Sequence, residues 1–247
     1  MQNRYSADIG DFGKFQLLRY LFNKTSYRLT QLWFMYPDET HNSDGMYINY
    51  FEKVKGFDEF LENSFRNILN SNRNVKALED TKLLNNIKYF NDYLLNDACL
   101  DFRKKWFAKA LEFSKNSDII LTDSDNGIAL LCDKKNKDLN LLDSSQVKKR
   151  KNSGKYIFID EIEALYKQSN TLIVYHHLNR CFAHDLQIKC LLEQFKTKYS
   201  KVLAIKHKPY SPRVYFILCK DLNNYKYIVE SLLVFEKKFS VHWMLFL

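Results

Sequence analysis

Apolar residues along this chain recur at two spacings, and segments of the two kinds alternate. Helical spacing marks 10–23, with apolar residues at Phe12, Phe15, Leu18, Tyr20, Leu21 and Phe22 and Asp11 placed to cap the start. The same spacing marks 57–70, 75–84, 160–168, 183–197 and 223–235, and also 101–114 with Phe102, Trp106, Ala110 and Phe113 on one stripe. Short apolar runs read as strands at 29–36, 87–93, 119–122, 171–176, 201–206, 213–219 and 239–244. Strands separated by helices form a parallel sheet with helices on both faces. Only the turn 209–212 joins two strands without a helix, so 213–219 must run antiparallel to its neighbour. The fold class is therefore α/β: a doubly wound, mostly parallel sheet with a C-terminal antiparallel hairpin strand. Residues 1–247 read as one such domain, with the polar stretch 133–155 as an insertion.

Composition narrows this picture. The chain has 6 Gly and 3 Pro, too few for a sandwich or barrel of many tight turns. Its formal net charge of +9 suits a polyanionic partner, because each neutralised phosphate releases counterions. The insertion concentrates part of that charge, with Lys148, Lys149, Arg150 and Lys151 in a row. It reads as a mobile basic loop in contact with nucleic acid, against the plainer alternative of a solvated excursion. The five cysteines (Cys99, Cys132, Cys181, Cys190 and Cys219) show no CxxC pair and read as reduced thiols of a cytoplasmic protein. No apolar run reaches membrane-spanning length, and the first residues lack a signal-peptide core.

The chemistry gathers at one strand end. The run 119–122 stops at Asp123-Ser124-Asp125-Asn126-Gly127. Ligands of open α/β sheets bind just past the carboxyl ends of the strands, so Asp123, Asp125 and Asn126 stand where catalysis is normally done. The same five residues are also good turn formers. His176 and His177 end the 171–176 run and face opposite ways. His176 with Asp123 would make a base or metal pair if their strands are neighbours. Asp160 and Glu161 open a helix, where acids complement the helix dipole. Asp160 with Asp123 and Asp125 would also make a carboxylate set for Mg²⁺.

In outline the chain resembles class I S-adenosylmethionine-dependent methyltransferases, and among them the ribosomal-RNA adenine methyltransferases of the large subunit. The resemblance rests on Asp11-Phe12-Gly13-Lys14 at the head of the first helix and on the loop from Met35 to Gly45 after the first strand. It continues through Asp123-Ser124-Asp125-Asn126 at the place of the Asp-Pro-Pro-Tyr motif, where only Asp123 is identical. Val174-Tyr175-His176-His177 with Arg180, and an ending that carries Trp243, complete it. It implies a Rossmann-like methyltransferase fold that takes S-adenosylmethionine near Lys14, Asp38, Asp44 and Gly45. It further implies that Asp123 orients a target amine, and that substrate meets Tyr175, His177 and Arg180. The motif's base-stacking aromatic is replaced by Asn126, leaving Tyr175 or Phe12 to stack.

Two enzymatic readings follow. One is a methyltransferase acting on RNA or DNA, with an adenine amine as target. The other is a metal-dependent nuclease or phosphotransferase, in which Asp123 and Asp125 hold Mg²⁺ and His176 activates water. A third reading keeps the fold as a non-catalytic nucleic-acid-binding module.

Overall fold

The computed structural model describes residues 1–40, 45–95, 99–210 and 212–247. Its helices are α1 (Ile9–Phe22), α2 (Phe51–Val54), α3 (Glu59–Asn70), α4 (Val75–Asp80), α5 (Leu100–Phe113), α6 (Ile159–Gln168), α7 (His184–Lys196) and α8 (Leu222–Lys238). Its strands are β1 (Leu29–Trp33), β2 (Ile87–Phe90), β3 (Ile119–Asp123), β4 (Gly127–Ile128), β5 (Leu130–Asp133), β6 (Asp138–Leu141), β7 (Tyr156–Ile157), β8 (Thr171–His177), β9 (Val202–His207), β10 (Arg213–Cys219) and β11 (Trp243–Phe246).

Seven strands make the central sheet, in the order β11-β9-β10-β8-β3-β1-β2. The neighbours β2, β1, β3 and β8 are mutually parallel, and β10 runs antiparallel to both β8 and β9. Strand β11 adds a further antiparallel edge beside β9. This is a doubly wound α/β fold, mostly parallel with antiparallel strands near the C-terminus. From β1 the chain first moves outward to β2 and then returns to lay β3 on the other side. The β1/β3 boundary is therefore the topological switch point, where open sheets of this kind leave a crevice.

Alternation along the strands supplies two apolar faces. Leu29, Trp33, Ile119, Leu121, Ile173, Ile205 and Ile217 pack against α1, α3, α4 and α8. Leu32, Ile120, Leu172, Val174, Ala204, Phe216 and Leu218 pack against α5, α6 and α7. A strand covered on both sides reads as a continuous apolar run, which is why the strands showed so clearly in the sequence.

Two polar devices fix the helices to the sheet. Asp8, and not Asp11, caps α1: its Oδ1 accepts from the backbone N–H of Gly10 at 2.7 Å and of Asp11 at 2.9 Å. Glu161 does more than face a helix dipole, for it is buried in a two-pronged pair with Arg103 of α5 at 2.7 and 2.8 Å. That pair ties α5 to α6 under the sheet.

The insertion is folded. It is the β5–β6 hairpin followed by two 3₁₀ turns, with Leu139, Leu142 and Val147 buried beneath it. Cys132 of β5 is joined to Cys181 in a disulfide, with Cα atoms 6.5 Å apart, so the expectation of five separate thiols fails for this pair. No helix among the described residues is long and apolar enough to cross a membrane.

Gly10 in the first turn of α1 is dictated by packing. A Cβ there would stand 1.2 Å from a guanidinium nitrogen of Arg213, a buried side chain from β10. A Gly→Ala change inside a helix normally stabilises by about 1 kcal/mol. Gly10→Ala should instead destabilise by about 1–3 kcal/mol, because overpacking displaces Arg213. Urea denaturation decides this, and equal or higher stability would contradict the packing account.

Candidate active site

The carboxyl ends of β1 and β3 meet helix α1 through one ammonium group. Lys14 Nζ lies 2.6 Å from Asp11 Oδ1 and 2.6 Å from Asp123 Oδ2, and 4.4 Å from the centre of the Trp33 ring. All three ion-pair members are buried. Burial alone would discharge Lys14, but the two carboxylates outweigh it and hold its pKa above the ordinary lysine value. The same burial pushes the Asp11 carboxyl up to about 6, only partly countered by Lys14. Asp123 pairs in register with Trp33, and its Oδ2 also accepts from Gln31 at 3.3 Å. Both of these donors use Oδ2, which leaves Oδ1 without a donor among the described residues.

Asp123 lines a cavity of about 650 Å³ at the carboxyl ends of β3 and β8, bounded by the start of β10. Small-molecule sites typically span about 300–1,000 Å³. Its floor is the turn Asp123–Asn126, and one wall is the start of α1 with Asp8, Asp11 and Lys14. Arg213 reaches the α1 head at Gly10, Tyr175 and Tyr215 line the cavity beside it, and the more exposed Tyr47, Arg180 and Tyr210 line it together with His184. Arg213 is buried, yet the neighbouring Tyr175 hydroxyl and the carboxylates of Asp8 and Asp11 raise its pKa against that burial. Burial likewise raises the Tyr175 phenol, so it meets a ligand as a neutral hydroxyl. Asp125 pairs with the Met1 amine at 2.6 Å and accepts from Gln2 at 2.7 Å.

The structure thus brings Lys14, Gly45, Asp123, Asp125, Asn126, Tyr175, His177 and Arg180 around one cavity. Sequence reasoning missed Asp8, Arg213 and Tyr215. Arg213 was signalled only by the two glycines of the α1 head, which leave room for large partners: Gly10 for Arg213 and Gly13 for His207.

Other expected members lie elsewhere. His176 is on the opposite sheet face from Asp123. Its Nδ1 accepts from Ile128 N–H at 3.1 Å and its Nε2 is buried without a partner, so it is a packed neutral imidazole. Gly127, at φ +79°, belongs to the same contact, since a Cβ there would lie 2.3 Å from His176 Cα. Asp38 is exposed and accepts from the Arg4 backbone N–H at 3.3 Å, while Asp44 lies outside the described residues. Gly45, at φ +83°, is packed against the Arg4 carbonyl. Phe12 is buried between Tyr50 and Phe65 and cannot stack on a ligand.

Asp160 does not join Asp123 and Asp125, because it is exposed and accepts from Ser144 N–H at 2.8 Å. Among the described residues no three His, Cys, Asp or Glu side chains gather to hold a metal ion. The expected Mg²⁺ set is therefore not assembled, and Asp123 and Asp125 each already face a cation. Of the basic run, Lys148, Lys149 and Lys151 are exposed. Arg150 is tied to Tyr156, donating to its hydroxyl at 2.8 Å with the guanidinium 4.3 Å from the ring centre.

No protein-family profile and no curated protein matches the chain. Among solved structures, the crystal structure of human methyltransferase-like protein 13 in complex with SAH aligns with 90% of this chain and 91% of its own, at 10% identity and a TM-score of 0.36. A likeness this remote says nothing of the reaction, which must follow from the geometry.

The buried imidazole makes stability depend on pH. Burial lowers the His176 pKa from 6.5 to about 3, so the unfolded chain takes up this proton at a higher pH than the folded one. Stability should therefore fall as pH drops from 6.5 towards 3, by up to about 5 kcal/mol from this group. Asp11, raised from 3.8 to about 6, works in the opposite sense and loses stability as pH rises between those values. His176→Gln has no proton to take up in this range and should flatten the acid limb in denaturation at stepped pH. An unchanged limb would place the His176 ring in water.

Proposed function

We propose that the chain is an S-adenosylmethionine-dependent methyltransferase acting on nucleic acid, with the exocyclic amine of an adenine as its target. The observation that carries this reading is the cavity at the carboxyl ends of β3 and β8, lined by Asp123 and the head of α1. The wall chemistry fits the cofactor. The Asp8 carboxylate suits its cationic groups, the Arg213 guanidinium suits a carboxylate, and the tyrosine faces suit a purine. When bound, S-adenosylmethionine supplies an electrophilic methyl group on sulfur.

The chain's own part is positioning. An amine N–H donated to Asp123 Oδ1 turns the nitrogen lone pair away from that oxygen and towards the methyl group. Lys14 and Gln31 hold the other oxygen, so the carboxylate cannot rotate away. Once methylated, the nitrogen gives up a proton to water at the open mouth. Asp125 and Asn126 extend the floor, and Arg180 and His177 lie where a phosphate or ribose would pass. The exposed Lys148, Lys149 and Lys151 extend this basic surface. Their turn is anchored beside the cavity, where Asn126 N–H donates to the Lys155 carbonyl at 2.9 Å. The metal-dependent reading lacks its third ligand, since Asp160 is engaged with Ser144.

Transfer of labelled methyl groups to single-stranded RNA and DNA tests the reaction. Asp123→Asn should lower the rate about 10²–10³-fold. It should also leave the chain folded, because Lys14 keeps Asp11 as partner. Full activity in that variant would remove Asp123 from the site. A triple Lys148→Ala, Lys149→Ala, Lys151→Ala variant should reduce the slope of log affinity against log salt by roughly 2–3. An unchanged slope would make these lysines ordinary solvated surface.

A further inference from the structure

Two tyrosines at the cavity mouth are placed as no folding requirement demands. Tyr210, in the β9–β10 turn, is held at φ +56°, a left-handed conformation that costs a bulky residue roughly 1–3 kcal/mol. The strain buys no burial, because 42% of Tyr210 is exposed. Its ring stacks on Tyr47, itself 47% exposed, with centroids 4.8 Å apart and planes 30° apart. Lys53 donates to the Tyr210 hydroxyl at 2.6 Å, which places an exposed ammonium 4.4 Å from the ring centre. Both tyrosines line the same cavity as Asp123.

We propose that Tyr47 and Tyr210 form a stacking platform for an unpaired nucleobase at the mouth of the cavity, with Lys53 and Arg180 taking the flanking phosphates. The inference rests on the reading of the chain as a nucleic-acid methyltransferase and adds a recognition element at the mouth. Asn126 has no ring, Phe12 is buried, and Tyr175 lies deeper, buried against Tyr215, so none of them meets a base at the entrance. Every base has a π-face, and stacking on an aromatic ring contributes substantially to single-strand binding. A tyrosine pair flanked by cations thus suits an unpaired nucleotide better than it suits a neutral or acidic peptide. An unpaired base held there stands at the entrance through which its amine would reach Asp123.

The test uses the full chain without cofactor and a short single-stranded oligonucleotide carrying one 2-aminopurine, compared with the same oligonucleotide abasic at that position. The intact base should bind roughly tenfold more tightly than the abasic strand and lose fluorescence on binding. Tyr210→Gly should abolish both the preference and the quenching, whereas Tyr210→Phe should keep them. Glycine accepts the positive φ without strain, so Tyr210→Gly should melt no lower than the wild type, which separates lost recognition from lost folding. Equal affinity for both strands, or quenching that survives in Tyr210→Gly, overturns the platform. Either result leaves methyl transfer to be judged by its own assay. Conversely, base-dependent binding by a protein without methyltransferase activity upholds the platform and sinks that assignment.

Discussion

The site hangs on the ammonium of Lys14. A buried lysine must be paired or lose its charge, and here two carboxylates from different parts of the chain share it. Asp11 comes from the same helix and Asp123 from the end of β3, so one ion triad fixes the head of α1 over the carboxyl edge of the sheet. The face of Trp33, at the end of β1, completes the pocket around the charge. Removing either carboxylate would leave Lys14 the other as partner, whereas removing Lys14 would set two buried carboxylates facing each other.

This constraint also creates the cavity. Because α1 is drawn down at its head, its first turn becomes one wall, and the polar groups there face the turn after β3. Arg213 enters from β10 through the gap at Gly10, so an antiparallel strand contributes a cation to a crevice formed by parallel ones. Asp8, Asp11 and Arg213 thus stand beside one another at the head of α1, where the two carboxylates help to keep the buried guanidinium charged.

Much of the architecture was legible in the sequence, because strands covered on both faces are continuous apolar runs and helices carry their own period. The antiparallel β10 was readable from a turn too short to hold a helix. The site was readable only in part. Asp123 announced itself as an acid ending an apolar strand. The choice of His176 over its neighbours failed on parity: Leu121 pairs with Ile173, so the face of Asp123 carries Tyr175 and His177, and His176 falls on the other side. That register depends on which strands are adjacent, which no single segment states. Arg213 and Tyr215 were invisible for the same reason, as they come from a strand remote in sequence. The run 133–155 looked like a loose basic loop because its apolar residues, Leu139, Leu142 and Val147, are few and widely spaced, yet Leu142 and Val147 form a small core with Ala129 and Phe158 while Leu139 joins the main one.

The central claim is that the crevice at the carboxyl ends of β3 and β8, lined by Asp8, Asp11, Lys14, Asp123 and Arg213, is a binding site for S-adenosylmethionine. Calorimetric titration of the wild-type chain with that compound tests it most directly. The account predicts saturable binding at one site per chain, lost when Arg213→Leu removes that guanidinium in a variant whose folding is verified separately. Absence of binding by the folded wild-type protein, or binding unchanged in Arg213→Leu, would contradict it.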